Sequence, residues 1–237
     1  MEMYIAFSHR MTETDKDMSM EKSLRIYFAG DLFNHKDLAG NFLLARCVEE
    51  VSFGKYQVCL PQNGEADPDR TMDIRDEDYN LLLSCDIFLG NFDGSDLDSG
   101  TVAEFIFAKM LDMPAVLLRT DFRFPAESSA SPDPWNLMCS GYPRTRSLVL
   151  HGMQLWHQAA CQEKNAERVV KAYHESIAGK IIGELDKVLE MKKVFSREKL
   201  PQIYENILCA AGGTLSGIWT EKKIDSLIRE KCEKGIY

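Results

Sequence analysis

Leu24-Arg25-Ile26-Tyr27-Phe28-Ala29-Gly30 decides the fold. It is a short, mostly apolar run with β-branched and aromatic residues, and a glycine stops it, which is the pattern of a buried strand. Downstream of it, helical and strand-like segments alternate. Asp37 to Val51 carries Leu38, Phe42, Ala45, Val48 and Val51 as a helical stripe. Tyr56 to Leu60 reads as a second strand, stopped by Pro61 and followed by a polar loop. Met72 to Ser84 reads as a helix with Ile74, Tyr79, Leu82 and Leu83 facing inward. Asp86 to Asn91 is a third strand, Ser99 to Leu111 a helix, Ala115 to Arg119 a fourth strand and Ser147 to Leu150 a fifth. Strands that alternate with helices imply crossover connections and a mostly parallel sheet. The expected fold is a doubly wound α/β domain, flavodoxin- or Rossmann-like, with about five strands. Ligands of such sheets bind beyond the carboxyl ends of the strands. One crevice should therefore gather Gly30 to Phe33, Gln62 to Gly64 and Asn91 to Thr101.

The pattern divides the 237 residues into three parts. Residues 1–22 are polar, charged and Met-rich, without the apolar core of a signal peptide, and are expected to be a mobile leader with Met18 or Met20 as an alternative start. Residues 23–150 form the α/β domain. Residues 151–237 read as a helical extension. Val169, Tyr173, Ile177, Ile181, Leu185 and Val188 stripe its longest helix, and two shorter helices, 197–211 and 216–231, are split by Gly212-Gly213. Residues 121–146 make a long connection of the kind that serves as a lid or binding loop, with a flexible middle expected at Ser128 to Ser131.

Charge and cysteine usage exclude several classes. A net charge of −9 repels phosphate backbones, so no nucleic-acid partner is expected. No apolar run approaches a membrane span. Seven cysteines, none in a CxxC pair, indicate a reducing compartment, so a cytoplasmic location is expected, with neither a disulfide framework nor a zinc site. No metal or cofactor is expected, because no His/Cys/Asp cluster suggests one.

The chemistry is densest in Asp93-Gly94-Ser95-Asp96-Leu97-Asp98-Ser99-Gly100-Thr101-Val102-Ala103-Glu104. It follows a strand and opens a helix that Ser99 or Thr101 can cap, with Glu104 within a turn or two of the start. Acidic groups crowded at a crevice raise one another's pKa, which suits acid–base and nucleophilic work at an acetal carbon. The ordinary reading stands beside this: the aspartates form turns and Glu104 is a solvated helix residue.

Ile26 to Gly30, Asp86-Ile87, Asp98-Ser99-Gly100-Thr101, Glu104 and Asn136-Leu137-Met138 together resemble the nucleoside 2-deoxyribosyltransferase family over about residues 24–150. The resemblance implies an enzyme that takes a deoxyribonucleoside and a free nucleobase. It implies Glu104 as the nucleophile at C1′ of deoxyribose, Asp98 with the adjoining Gly100 at the 5′-hydroxyl, and Asp78 as the acid that protonates the departing base. It further implies Tyr27 as the hydroxyl orienting the nucleophile and Gln62 at the base. Asn136 and Met138 would reach into a neighbouring subunit's site, so a homodimer or larger homo-oligomer with shared sites is expected. Phe33 is a candidate wall of the base pocket. Each residue also has an ordinary reading: Tyr27, Phe33 and Met138 as core, Asp78 as an exposed helix acid, Gln62 as a loop residue and Asn136 as a helix cap. Two rival functions remain. An N-glycosidase of the same superfamily acting on 5′-monophosphates would carry a serine where Asp98 stands. A nucleotide-binding sensor would bind without turnover.

Overall fold

The computed structural model describes residues 23–64, 71–123 and 133–237. In it, β1 (Leu24–Ala29) runs between β2 (Tyr56–Cys59) and β3 (Ile87–Asn91), and β4 (Ala115–Arg119) and β5 (Thr145–Val149) continue the sheet. The order is β2-β1-β3-β4-β5 with every pairing parallel. Register follows from alternation. Ile26 sits opposite Val58 and Ile87, while Tyr27 sits opposite Cys59 and Phe88. Successive side chains leave opposite faces, so Ile26 and Phe28 enter one core and Tyr27 and Ala29 the other.

Helix α1 (His35–Val51) links β1 to β2, α2 (Thr71–Ser84) links β2 to β3, and α3 (Ser99–Met110) links β3 to β4. Beyond β5 come α4 (Gly152–Gln162), α5 (Ala166–Leu189), α6 (Leu200–Ala211), α7 (Leu215–Ile218) and α8 (Glu221–Glu233). On one face, Leu44, Ala45 and Val48 of α1 and Ile177, Ile181 and Leu185 of α5 pack on Ile26, Phe28, Leu89, Val116 and Leu118. On the other, Leu82 and Leu83 of α2 and Phe105 and Ala108 of α3 pack with Leu200, Tyr204 and Leu208 of α6 and Leu227 of α8 on Tyr27, Phe88 and Leu117. The helices after β5 are thus built into both layers. The reason is topological. Only α1 among the crossover helices covers the first face, and α5 supplies the cover over β4 and β5.

A buried ion pair bolts the tail down. Arg144 donates to the carbonyls of Asp112 (2.7 Å) and Ile236 (2.9 Å) and lies 3.2 Å from the Asp112 carboxylate. That carboxylate also accepts from the Val194 amide at 2.8 Å, tying the segment after α5 to the end of α3. Removing one member of such a pair strands the other charge in the interior.

Three expectations need correction. Leu38 and Phe42 are not on the inward stripe of α1: both are exposed, and the buried set is Asn41, Leu44, Ala45, Cys47 and Val48. Ile74 in the first turn of α2 is 43% exposed. Phe42, in the third turn of α1, lies off the face that carries buried Asn41, Leu44 and Val48, whereas Leu38 and Ile74 share one cause. Crossover helices begin past the carboxyl ends of the strands, so their first turns overhang the sheet and have no strand beneath them. The third correction concerns the start of α3, whose cap is Asp98 rather than Ser99 or Thr101. The 1–22 leader, residues 65–70 of the polar loop and Ser128 to Ser131 lie outside the described residues. No helix among the described residues is long and apolar enough to cross a membrane.

If α5 is part of the core, Ile181→Ala should behave as a core truncation. Ile181 is fully buried. We expect a loss of about 3 kcal/mol, seen as a lower urea midpoint with unchanged cooperativity. A change within experimental error would place α5 outside the cooperative unit.

Candidate active site

The chain leaves β1 toward β2 and returns to the other side of β1 at β3, so the strand order reverses between β1 and β3. Open α/β sheets place their ligand crevice at such a point. Here the two strand ends approach closely: a Cβ on Gly30 would stand 3.0 Å from the Cβ of Asn91. Asn41 on α1 braces the junction, donating to the Asp31 carbonyl at 2.9 Å.

The acidic segment after β3 divides into supports and free groups. Asp93 accepts from the Thr120 amide (2.5 Å), the Thr120 hydroxyl (2.6 Å) and the Asp121 amide (2.7 Å), so it fastens the end of β3 to the end of β4. Buried Arg119 holds the same turn from below, donating to the carbonyls of Phe92 (2.6 Å) and Gly94 (2.9 Å). Asp96 is exposed. Asp98 caps α3: its Oδ2 accepts from the Thr101 amide at 2.7 Å and the Thr101 hydroxyl at 2.8 Å. A Cβ on Gly100 would come within 3.1 Å of that oxygen, so glycine leaves room for the cap. In Asp98-Ser99-Gly100-Thr101 one residue accepts, one makes space and one donates, and α3 starts at a fixed angle.

That angle directs Glu104 at β1. The Tyr27 hydroxyl donates to Glu104 Oε1 at 2.6 Å. Tyr27 is fully buried, with its ring stacked on Phe88. Burial pushes the Glu104 carboxyl up to about 7; the Tyr27 hydrogen bond lowers it, and the charges of Asp78 and Asp98 raise it. Asp78 on α2 is pushed up to about 6, by burial and then by Glu77. Burial, followed by the Glu104 charge, lifts the Tyr27 phenol far above its ordinary range, so it acts as a donor. Asp31 is also raised, by burial and then by Asp98 and Asp37. Tyr27, Glu104, Asp78 and Asp98 therefore share one electrostatic environment.

Among the described residues no hydrogen bond joins the remaining expected residues to this group. Gln62 lies in the short turn Pro61–Asn63 and donates to the Leu38 carbonyl at 3.0 Å. Phe33 is 76% exposed in the loop after β1. Asn136 caps the turn Leu137–Cys139 by accepting from the Met138 amide at 3.0 Å. Buried Trp135, edge-on to Phe92 at 5.3 Å, docks that turn against the end of β3. Leu137 and Met138 are 64% and 77% exposed, so Met138 is not core.

Sequence reading missed Arg119, whose only signal was a lone cation closing the apolar strand Ala115 to Leu118. It also missed Tyr79, which neighbours Asp78, stacks on Phe107 at 4.3 Å and feels the Glu104 charge.

Fold and site together define an α/β protein with a half-buried, tyrosine-held carboxylate at a strand-order reversal. Residues 26–138 match the family model of nucleoside 2-deoxyribosyltransferase. Among solved structures, a conserved protein from Enterococcus faecalis is 23% identical, covers 60% of this chain and 99% of its own, and has a TM-score of 0.46. A 2-deoxyribosyltransferase from Bacillus psychrosaccharolyticus is 19% identical, with 50% and 81% covered and a TM-score of 0.40. A 2-desoxiribosyltransferase from Leishmania mexicana is 22% identical, with 52% and 89% covered and a TM-score of 0.42. No curated protein matches the chain.

The raised Glu104 pKa has a consequence for stability. An unfolded glutamate titrates near 4.5 and the folded one near 7, so folding favours the protonated form. Its benefit is complete below 4.5 and is lost as the pH rises through 7. Glu104→Gln does not titrate. Relative to the parent it should gain about 3 kcal/mol between pH 4 and pH 8, measured by denaturant unfolding at both pH values. An unchanged difference would mean that Glu104 is not held in this environment.

Proposed function

We propose that this protein transfers 2-deoxyribose between nucleobases by a retaining double displacement, with Glu104 as the nucleophile. The carrying observation is the half-buried Glu104 carboxyl, bonded to the Tyr27 hydroxyl at 2.6 Å and raised to about 7. A carboxylate held in this way is a costly device for stability and a useful one for attack on carbon.

The sequence of events follows from the groups present. One Glu104 oxygen bonds to C1′ as the N-glycosidic bond breaks through an oxocarbenium-like transition state. The departing base takes a proton from Asp78, whose pKa, raised to about 6, brings its protonated form closer to neutral pH. Tyr27 holds Oε1, which leaves the other oxygen to attack. A second base then bonds to C1′ from the original face, the ester to Glu104 breaks, and the incoming base gives its proton to Asp78. Two inversions retain the configuration.

Asp98 supports an unphosphorylated 5′-hydroxyl as the recognised group. One of its oxygens is taken by the α3 cap, and the carboxylate, with Asp31 nearby, repels a phosphate dianion. Exposed Leu137 and Met138, fixed by the Asn136 cap, are proposed to close the site of a neighbouring copy in a homo-oligomer, and Phe33 and Gln62 to border the base.

Base exchange tests this directly. Thymidine and free adenine should give deoxyadenosine and thymine, and Glu104→Ala should lose at least ~10³-fold in rate. Free base and sugar alone, or cleavage confined to AMP or CMP, would replace the transferase with a hydrolase. Nucleoside binding without turnover would leave a sensor.

The pH profile is a separate test. Glu104 must be ionised and Asp78 protonated, so kcat/KM should be bell-shaped, with limbs near 6 and 7 that belong to the pair rather than to either residue. In Asp78→Asn the rate should fall about 10²-fold or more and the alkaline limb should vanish. An alkaline limb that survives would remove Asp78 from the acid role.

A further inference from the structure

Gly212 and Gly213 follow α6 with positive φ angles of 67° and 64°. The turn they make carries Thr214 onto the second turn of α2. There the buried Asp76 carboxylate accepts two bonds through Oδ2, from the Thr214 amide at 2.6 Å and the Thr214 hydroxyl at 2.8 Å. Its other oxygen, Oδ1, accepts from Arg75 Nε at 3.0 Å and Nη2 at 2.6 Å. A Cβ on Gly213 would strike the Arg75 guanidinium and both Asp76 oxygens, so this approach needs glycine. The Arg75 guanidinium also lies over the Tyr79 ring, 5.8 Å from its centroid, and Tyr79 stacks on Phe107 at 4.3 Å. Phe107 is on α3, one turn past Glu104. Thr214, Asp76, Arg75, Tyr79 and Phe107 thus form a continuous run of contacts from the helical extension, across α2, to the helix that carries Glu104.

We propose that the helical extension positions the acid of the reaction: Thr214 clamps Asp76, and the clamp fixes the part of α2 that carries Asp78. This inference rests on the role given to Asp78 in glycosyl transfer. The first half of α2 is poorly anchored without the clamp. Leu82 and Leu83, which enter the core, sit in its last turn, while Ile74 in its first turn is exposed. Two residues turn a helix by about 200°, so Asp76 and Asp78 leave α2 on opposite flanks of the stripe formed by Tyr79, Leu82 and Leu83. With one flank tied to the extension, α2 cannot roll about its axis, and Asp78 stays within electrostatic reach of Glu104. Asp76, with both oxygens bonded, acts through α2 and is a positioning residue. Burial works against its charge, but the Thr214 amide, Arg75 and the Thr214 hydroxyl outweigh it and hold the carboxyl below its ordinary range. The clamp therefore stays ionised through the range in which Glu104 and Asp78 titrate.

Loosening the clamp should resemble a partial loss of the acid. As the N-glycosidic bond breaks, its electron pair goes to the base nitrogen, and a proton from Asp78 neutralises the charge that develops on the base. A base that is itself more acidic carries that charge better and needs the proton less. Thymine and 5-fluorouracil share one ring, and the fluorine makes the second the better leaving group. A defect in Asp78 placement therefore weighs more heavily on thymidine than on 5-fluoro-2′-deoxyuridine. A general weakening of the fold weighs equally on both.

The experiment uses the full chain, with free adenine as the accepting base and each of the two nucleosides in turn. Asp76→Ala should lower kcat for thymidine about tenfold at near-constant KM. With 5-fluoro-2′-deoxyuridine the loss should shrink to about twofold. Thr214 is exposed, so Thr214→Val removes the hydroxyl bond, keeps the amide bond and carries the comparison if Asp76→Ala does not fold. It should show the same trend at a smaller size, and Thr214→Ser should restore the parent rate. Undiminished rates in the Asp76 and Thr214 variants would overturn the proposal. So would losses of equal size with both nucleosides, which mark support of the fold alone. A parent protein that exchanges neither nucleoside would remove the glycosyl-transfer reading itself, and this inference with it.

Discussion

Both faces of the five-stranded parallel sheet are apolar, and a parallel sheet of this kind cannot leave either face to water. Ile26 and Phe28 point one way, and Tyr27 and Phe88 point the other. Most of the architecture answers this constraint. The crossover helices alone cover the sheet unevenly, so α5 lies over β4 and β5 while α6 and α8 thicken the layer of α2 and α3. The buried Arg144–Asp112 pair, with its bonds to Ile236 and Val194, holds those late helices where the uncovered surface needs them.

The same constraint produces the site. Tyr27 must be buried because of its position in β1, and a buried hydroxyl needs a partner. The partner is Glu104, which burial alone would make difficult to ionise. One hydrogen bond therefore serves the core and the chemistry together. It satisfies the phenol, fixes the carboxylate and partly offsets the desolvation that raises its pKa. Asp78 and Asp98 add charge from two other elements, and Glu104 and Asp78 are raised to about 7 and about 6.

Asp98 shows how a motif can carry structural and functional demands at once. Its carboxylate caps α3, and Gly100 and Thr101 complete the cap geometrically. Without that start, α3 has no defined angle and Glu104 no defined aim. Asp93 and Arg119 perform the equivalent task on the preceding turn and leave no carboxylate oxygen of Asp93 unbonded. Acidic residues that look equivalent in the sequence are thus divided by the fold into a brace such as Asp93 and a carboxyl of raised pKa such as Glu104.

The sequence by itself determined the alternation of strand and helix, the parallel sheet, and the placing of Asp98 near one crevice with Glu104 a turn or two beyond. These follow from local periodicity and from the rule that crossover connections return to the same edge of the strands. It also carried the family likeness of residues 26–138, through short motifs whose spacing the helix start fixes. Only the tertiary structure decided which face of α1 is buried, because Leu38 overhangs the sheet and periodicity cannot see where a strand ends beneath a helix. It alone made the late helices part of both cores and brought Arg119 under the acidic turn. These contacts join residues far apart in the chain, and they arise from the packing of whole elements, which no local pattern encodes.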